Sequence, residues 1–221
     1  MNGQLIKQEY FFTPIYFYNL IDWVDDLNYK CNKYIDIIKK SNKNFLINNK
    51  DLGFTYHSEP NHLIEDSGFD TFKKFIYQKS SYILNEQGYN ISLYDLKIKE
   101  LWVQEFAKDG GGHHNSHIHS NSHISGFYFL KCSDKTSYPI FHDPRLHKKM
   151  NQLQEKDVTN FTNSSELISL KPTPGLFVFF NSFLEHQFSM DLGLEPFRFI
   201  HFNIQAVPKQ LINNDIKRIS S

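Results

Sequence analysis

The feature that most constrains this chain is a change of pattern near residue 96. Before it, apolar residues recur at three- and four-residue steps. After it, the sequence breaks into short alternating or fully apolar stretches divided by turn residues. A helix-period pattern and a strand-period pattern are not interchangeable, so the C-terminal half is predicted to be built from short strands. The candidates are Leu96–Phe106, His114–Ser120, Ser125–Cys132, Tyr138–Asp143, Glu166–Leu170, Leu176–Phe180, His186–Met190 and Phe197–Val207. Eight short strands within about 110 residues predict a jelly-roll-type barrel. The stretch Leu176-Phe177-Val178-Phe179-Phe180 is apolar on both faces and is expected to be covered on both sides.

In the first half, Leu20, Ile21, Val24, Leu27, Cys31, Ile35 and Ile38 form one apolar helical face within Leu20–Lys40. A second helix is predicted over Ser67–Gln87. It carries Phe72, Phe75, Ile76 and Ile83 as its stripe, Ser67 with Asp70 as a capping box, and Gly88 as the stop. Both read as scaffold. The chain shows no internal repeat and no interdomain linker. One domain over 1–221 is expected, with a helical part at 1–95, a β core at 96–207 and a tail at 208–221. The polar stretch Arg145–Ser165 reads as a long loop, a class often used as a lid.

Composition removes several function classes. The 24 basic and 24 acidic residues cancel, which argues against a generic nucleic-acid binder. Two cysteines make no disulfide framework, and Met1–Tyr10 shows no signal-peptide pattern. No apolar run approaches the roughly 20 residues that span a bilayer. A cytoplasmic location without membrane attachment is therefore expected, and the N-x-S/T matches at Asn160 and Asn163 carry little meaning. Abundant Phe and Tyr (21 and 12) suit an aromatic β core.

Five of the 11 histidines fall between residues 113 and 123: His113, His114, His117, His119 and His123. A His-rich polar loop would explain any one of them. His117-Ile118-His119 is different, because side chains two apart on a strand share a face and both imidazoles can then address one ion. His186, opening a later strand, is the candidate third ligand. Imidazole ligands suit iron, zinc, copper and nickel.

The order of motifs resembles a group of 2-oxoglutarate/Fe(II) oxygenases found in bacteria and phages. His114-Asn115-Ser116-His117-Ile118-His119 followed by Ser125-Gly126-Phe127-Tyr128-Phe129-Leu130 is similar to that family's H-x-H and S-G-x-Y-Y-L stretch. Phe12-Thr13-Pro14-Ile15, the Gly53–Ser58 element, Trp102, Phe141-His142-Asp143-Pro144-Arg145, Pro174-Gly175 leading to His186, and Arg198 with Asn203 follow in the family's order. The resemblance implies a double-stranded β-helix (a cupin-like jelly-roll barrel) with N-terminal helices packed outside it. It implies Fe(II) at one mouth, 2-oxoglutarate as co-substrate, and O2-dependent hydroxylation of a small molecule or peptide. The oligomeric state and the substrate stay open.

Most of that superfamily uses two histidines and a carboxylate. Here His119 stands where the carboxylate belongs, which leaves three readings. His119 completes a three-imidazole set, or Asp143 supplies a carboxylate from a neighbouring strand, or His117 and His186 ligate with water. Asp143 is also explained as a turn residue before Pro144.

Arg198 is the expected anchor for the distal carboxylate of 2-oxoglutarate. If a turn through Asp191–Pro196, helped by Gly193, folds the last strand back on the His186 strand, Arg198 lies opposite Ser189, roughly 10 Å deeper than His186 at ~3.3 Å per residue. Its planar fork suits a carboxylate. Related enzymes place hydroxyls at the positions of Ser125 and Phe129, so Ser125 is expected to hydrogen-bond the co-substrate. The alternative function is a cupin-like metal-binding protein or a dioxygenase that does not use 2-oxoglutarate.

Overall fold

The structure, a computed structural model, describes residues 11–41, 55–106, 112–133, 135–151, 153–192 and 195–209. The Met1–Tyr10 reading, Gly53, Gly193 and the tail beyond 209 lie outside the described residues. In chain order the main elements are β1 (Ile15–Asn19), α1 (Val24–Ser41), β2 (Thr55–His57), α2 (Asp70–Glu86), β3 (Tyr94–Phe106), β4 (His114–His117), β5 (Ile124–Lys131), β6 (Pro139–His142), β7 (Leu167–Ser169), β8 (Leu176–Asn181), β9 (His186–Phe188) and β10 (Phe197–Pro208). Two antiparallel sheets result. The larger runs β1-β8-β5-β10-β3-β2 and the smaller β4-β9-β6-β7. This is the jelly-roll arrangement of a double-stranded β-helix, and all eight predicted strands are present.

Period-two alternation sorts each central strand into two faces. On β10, Ile200, Phe202 and Ile204 join one core with the helices, while Phe197 and Phe199 join a second core between the sheets. On β8, Phe177 and Phe179 take the helix side, and Val178 and Phe180 the inner side. The doubly apolar β8 run is thus covered on both faces, as its sequence requires. The helix-side layer is closed by Leu27, Cys31 and Ile35 of α1 and by Phe72, Ile76, Ile83 and Leu84 of α2.

Two local details differ from expectation. The turn before α2 is capped by Asp66, whose carboxylate accepts from Gly68 N at 2.8 Å, so Ser67 does not act as the cap. The stop at Gly88 holds. It adopts φ +90°, and the amides of Gly88 and Tyr89 donate to the carbonyls of Asn85 and Leu84, which satisfies the last turn. The first part is also less purely helical than expected, since β1 and β2 form the two edges of the larger sheet. Edge strands bury little, and Phe17 and Tyr18 of β1 remain exposed, so no alternation marks β1 in the sequence.

Gly126 shows how closely β5 and β10 approach. A Cβ there would sit 2.3 Å from Phe202 Cζ and 2.4 Å from Val178 O. Gly126→Ala is expected to destabilise by about 1–3 kcal/mol through overpacking, read as a lower urea midpoint at unchanged slope. An unchanged midpoint would show that Phe202 has room to move.

Candidate metal centre

Strand pairing brings the three predicted histidines together. β4 and β9 are antiparallel neighbours, and His117 is the register partner of His186, so their side chains start from adjacent backbone positions on one face. His119 lies just past the end of β4, and its amide donates to Ser182 O at 3.0 Å. The ring centroids are 4.5 Å apart for His117 and His186, 5.0 Å for His117 and His119, and 5.1 Å for His119 and His186. One nitrogen from each ring lies within 4.8 Å of the others, close enough to share one ion.

The rings are also oriented for ligation. His117 Nδ1 lies 2.7 Å from the Asn115 carbonyl and His186 Nδ1 lies 3.0 Å from the Leu184 carbonyl. A carbonyl only accepts, so each Nδ1 carries its proton and each Nε2 keeps a free lone pair. Such a bond from the far nitrogen is the usual way a protein sets the tautomer of a histidine ligand. The Nε2 atoms of His119 and His186 are buried without a hydrogen-bond partner. A buried polar atom left unpaired costs about 1–3 kcal/mol, and a metal ion would relieve that cost. His117 and His186 therefore present free Nε2 lone pairs that fit a divalent transition metal such as iron, and His119 joins them as a ligand once its proton sits on Nδ1, which requires the Asn203 amide to turn its oxygen to that atom.

Burial pushes the pKa of His119 and of His186 down to about 3, and that of His114 down to about 4. The neighbouring histidines push the same way, while the bond to Leu184 partly opposes the shift at His186. These rings stay neutral at pH 7, the form that binds metals. With folded-state values below the ordinary 6.5, the unfolded chain binds more protons between pH 6.5 and about 3. Stability of the metal-free protein is therefore expected to fall as pH drops through that window. Urea midpoints at pH 7 and pH 5 measure it, and equal midpoints would contradict the burial of the rings.

The other expected site residues are placed differently. Arg198 does not face the metal centre. β10 pairs with β3 and β5 in the larger sheet, whereas β9 pairs with β4 and β6 in the smaller one. The hairpin assumed between the His186 strand and the last strand is thus absent, and Arg198 falls on the helix side of β10. There its Nε and Nη2 both donate to Glu105 Oε2 at 2.7 Å, and its Nη1 donates to Asn32 Oδ1 of α1 at 2.8 Å. Ser125 is buried, and its hydroxyl is engaged within the chain, donating to Asn203 Oδ1 at 2.6 Å beside Ser182 Oγ at 2.7 Å. Asp143 is not among the residues that converge with the histidines. Arg145 and Lys148 bind its carboxylate at 2.7–2.9 Å, and although burial opposes ionisation, these bonds hold its pKa below the usual carboxylate range. The Arg145–Ser165 loop is largely exposed, as expected of a lid, but with Phe11, Phe12 and Phe141 it lines a groove of about 450 Å³ that contains none of the three histidines.

Three residues of the centre had no role assigned from sequence. Asn203 Nδ2 donates to Glu100 Oε2 at 2.6 Å and lies 3.2 Å from His119 Nδ1. His201 is fully buried, with its ring 4.6 Å from that of His119 and 4.5 Å from Trp102. The signal available was parity: Phe197, Phe199, His201 and Asn203 share one face of the last strand, and Arg198 is on the other.

The fold has relatives among known proteins. Residues 100–203 match a family described as "Putative 2OG-Fe(II) oxygenase". Among solved structures, the fold is similar to a Pseudomonas putida prolyl-4-hydroxylase (TM-score 0.52, 10% identity, 86% of this chain and 92% of that one). It is also similar to the nickel complex of the non-heme monooxygenase ThoJ (TM-score 0.54, 9% identity, 86% and 72%). The chain spans about half (54%) of a 2OG-Fe(II) oxygenase-family oxidoreductase from Burkholderia pseudomallei, with 65% of this chain covered at 9% identity and a TM-score of 0.41. No curated protein sequence matches the chain. No described helix is long and apolar enough to cross a membrane.

Proposed function

We propose that this chain is a 2OG-Fe(II) oxygenase, using Fe(II), 2-oxoglutarate and O2, in which His117, His119 and His186 hold the iron; the match of residues 100–203 to a family described in those terms supports the reading. The observation that carries the reading is the convergence of three imidazoles, two of them with Nδ1 committed to backbone carbonyls and Nε2 left free. Bound there, iron and 2-oxoglutarate would supply O2-dependent oxidation of a C–H bond of a peptide or small molecule, with succinate and CO2 as co-products.

The chain's own contribution is to hold the imidazoles and exclude water. Phe127, Phe141 and Phe180 surround the His186 ring at 5.7, 5.8 and 4.7 Å, which keeps its nitrogen dry and its orientation single. Asn203, braced by Ser125, holds His119 at Nδ1. The helices and the β-helix act as one domain in this reading.

A second reading, a cupin-like metal-binding protein or a dioxygenase that does not use 2-oxoglutarate, draws on the placement of Arg198, since the arginine expected to anchor the distal carboxylate faces the helices instead. One experiment separates the two. Apo-protein loaded anaerobically with Fe(II) is exposed to O2 with 2-oxoglutarate, and succinate is quantified. Succinate that depends on both iron and 2-oxoglutarate supports the oxygenase. Iron binding without it supports the second reading.

A further inference from the structure

We propose that the barrel contains an alternative seat for a divalent transition-metal ion, formed by Glu100, His119 and His201, which adjoins the first seat and competes with it for the one lone pair of His119, so that a single ion occupies one seat or the other. One potential ligand atom from each of the three lies within 4.8 Å of the others. The chemistry of the set differs from that of the first: two imidazoles and one carboxylate, the donor combination suited to Fe(II) and its first-row neighbours. It supplies, from β3, the carboxylate that the H-x-H motif lacks.

The independent observation is His201. It is 1% exposed, and neither of its ring nitrogens has a hydrogen-bond partner. A neutral imidazole carries one N–H and one lone pair, so both a donor and an acceptor are buried unsatisfied, each at a cost of about 1–3 kcal/mol. A phenylalanine would fill the space between Trp102 and Phe127 (ring centroids 4.5 and 5.2 Å away) without that cost. The neighbouring positions on the same face of β10, Phe197 and Phe199, are phenylalanines. A histidine here has a reason to be present if it meets a ligand.

Glu100 is positioned for the same task. Its carboxylate is held by Asn203, whose amide also reaches His119 Nδ1, and Asn203 accepts in turn from Ser125, whose hydroxyl lies 2.7 Å from that of Ser182. The register explains why the three meet: Glu100 is the β3 partner of Asn203, and His201 pairs with Trp102, two residues further along each strand. Side chains two apart on adjacent antiparallel strands form one patch on one face. His119 completes the patch from the end of β4.

The test uses Co(II), whose visible absorption reports N/O ligation, titrated anaerobically into apo-protein with calorimetry in parallel. The His117→Ala/His186→Ala double variant dismantles the first seat and is expected to retain one Co(II) per chain. Adding His201→Phe, which keeps the ring volume, or Glu100→Gln is expected to weaken that binding by more than ~100-fold, since loss of outer-shell partners alone costs about 10–100-fold. If the double variant folds poorly by circular dichroism, His117→Ala alone serves as the background, because His117 is only half-buried. Loss of Co(II) binding in the folded His117/His186 variant, or indifference of its titration to His201→Phe, overturns the alternative seat while leaving the first intact. Failure of the wild type to bind Co(II) overturns both.

Discussion

Fe(II)-loaded protein carrying His186→Ala is expected to form succinate from 2-oxoglutarate at least ~100-fold more slowly than the wild type. The reason is positional. His186 sits opposite His117 in the β4–β9 register and donates from Nδ1 to Leu184, which leaves its Nε2 free and fixed in orientation. Disturbing partners of a metal ligand costs about 10–100-fold, and losing the ligand should exceed that. The effect on stability is a partial cancellation of two opposing contributions. Truncation opens space among Phe127, Phe141 and Phe180, costing on the order of 2–5 kcal/mol, but it also removes an unpaired buried nitrogen worth about 1–3 kcal/mol. Succinate assays beside urea denaturation separate the two effects. A folded variant with more than a tenth of wild-type turnover would remove His186 from the iron site.

Arg198→Ala is expected to do the reverse, destabilising the fold by about 3–5 kcal/mol while leaving 2-oxoglutarate affinity unchanged in the protein that remains folded. Arg198 and Glu105 are both about 97% buried at the side-chain level, each being 3% exposed, and are joined by two 2.7 Å contacts. Removing the guanidinium strands the Glu105 carboxylate between the sheet and α1 and leaves the Asn32 carbonyl oxygen without its donor. Lys39, 2.6 Å from the other Glu105 oxygen, still compensates part of the charge, so the lower end of the range is the better expectation. Urea denaturation gives the stability term, and anaerobic calorimetry of 2-oxoglutarate into Mn(II)-loaded protein gives the affinity. A tenfold loss of affinity in well-folded protein would return Arg198 to the co-substrate site.

The strand-rich C-terminal half, the two amphipathic helices and the Gly88 stop were all legible in the sequence. Each rests on local chemistry: apolar spacing at 2 or 3.6 residues, and a glycine where φ must be positive. The metal-ligand candidates were legible for the same reason, because His117 and His119 are neighbours and His186 opens a strand after a turn. Edge strands β1 and β2 were not: β1 leaves Phe17, Tyr18 and Asn19 exposed, and β2 is three residues long with Tyr56 alone buried, too short for an alternation to be read.

Arg198 and Glu100 mark where local reading ends. Alternation shows that Arg198 and His201 occupy opposite faces of one strand, but it does not say which face looks into the barrel. That depends on which strands β10 lies beside, and a shift of one residue exchanges the faces. Supposing a hairpin with β9 turned Arg198 toward the iron. The observed pairing with β3 and β5 turns it toward α1 and brings His201 and Asn203 inward instead. Glu100 reaches His119 only because β3 lies beside β10, with Glu100 opposite Asn203. The residues that can bind a metal were therefore visible as chemistry along the chain, whereas which of them share a cavity was set by contacts between strands about a hundred residues apart, and those are a property of the folded sheet.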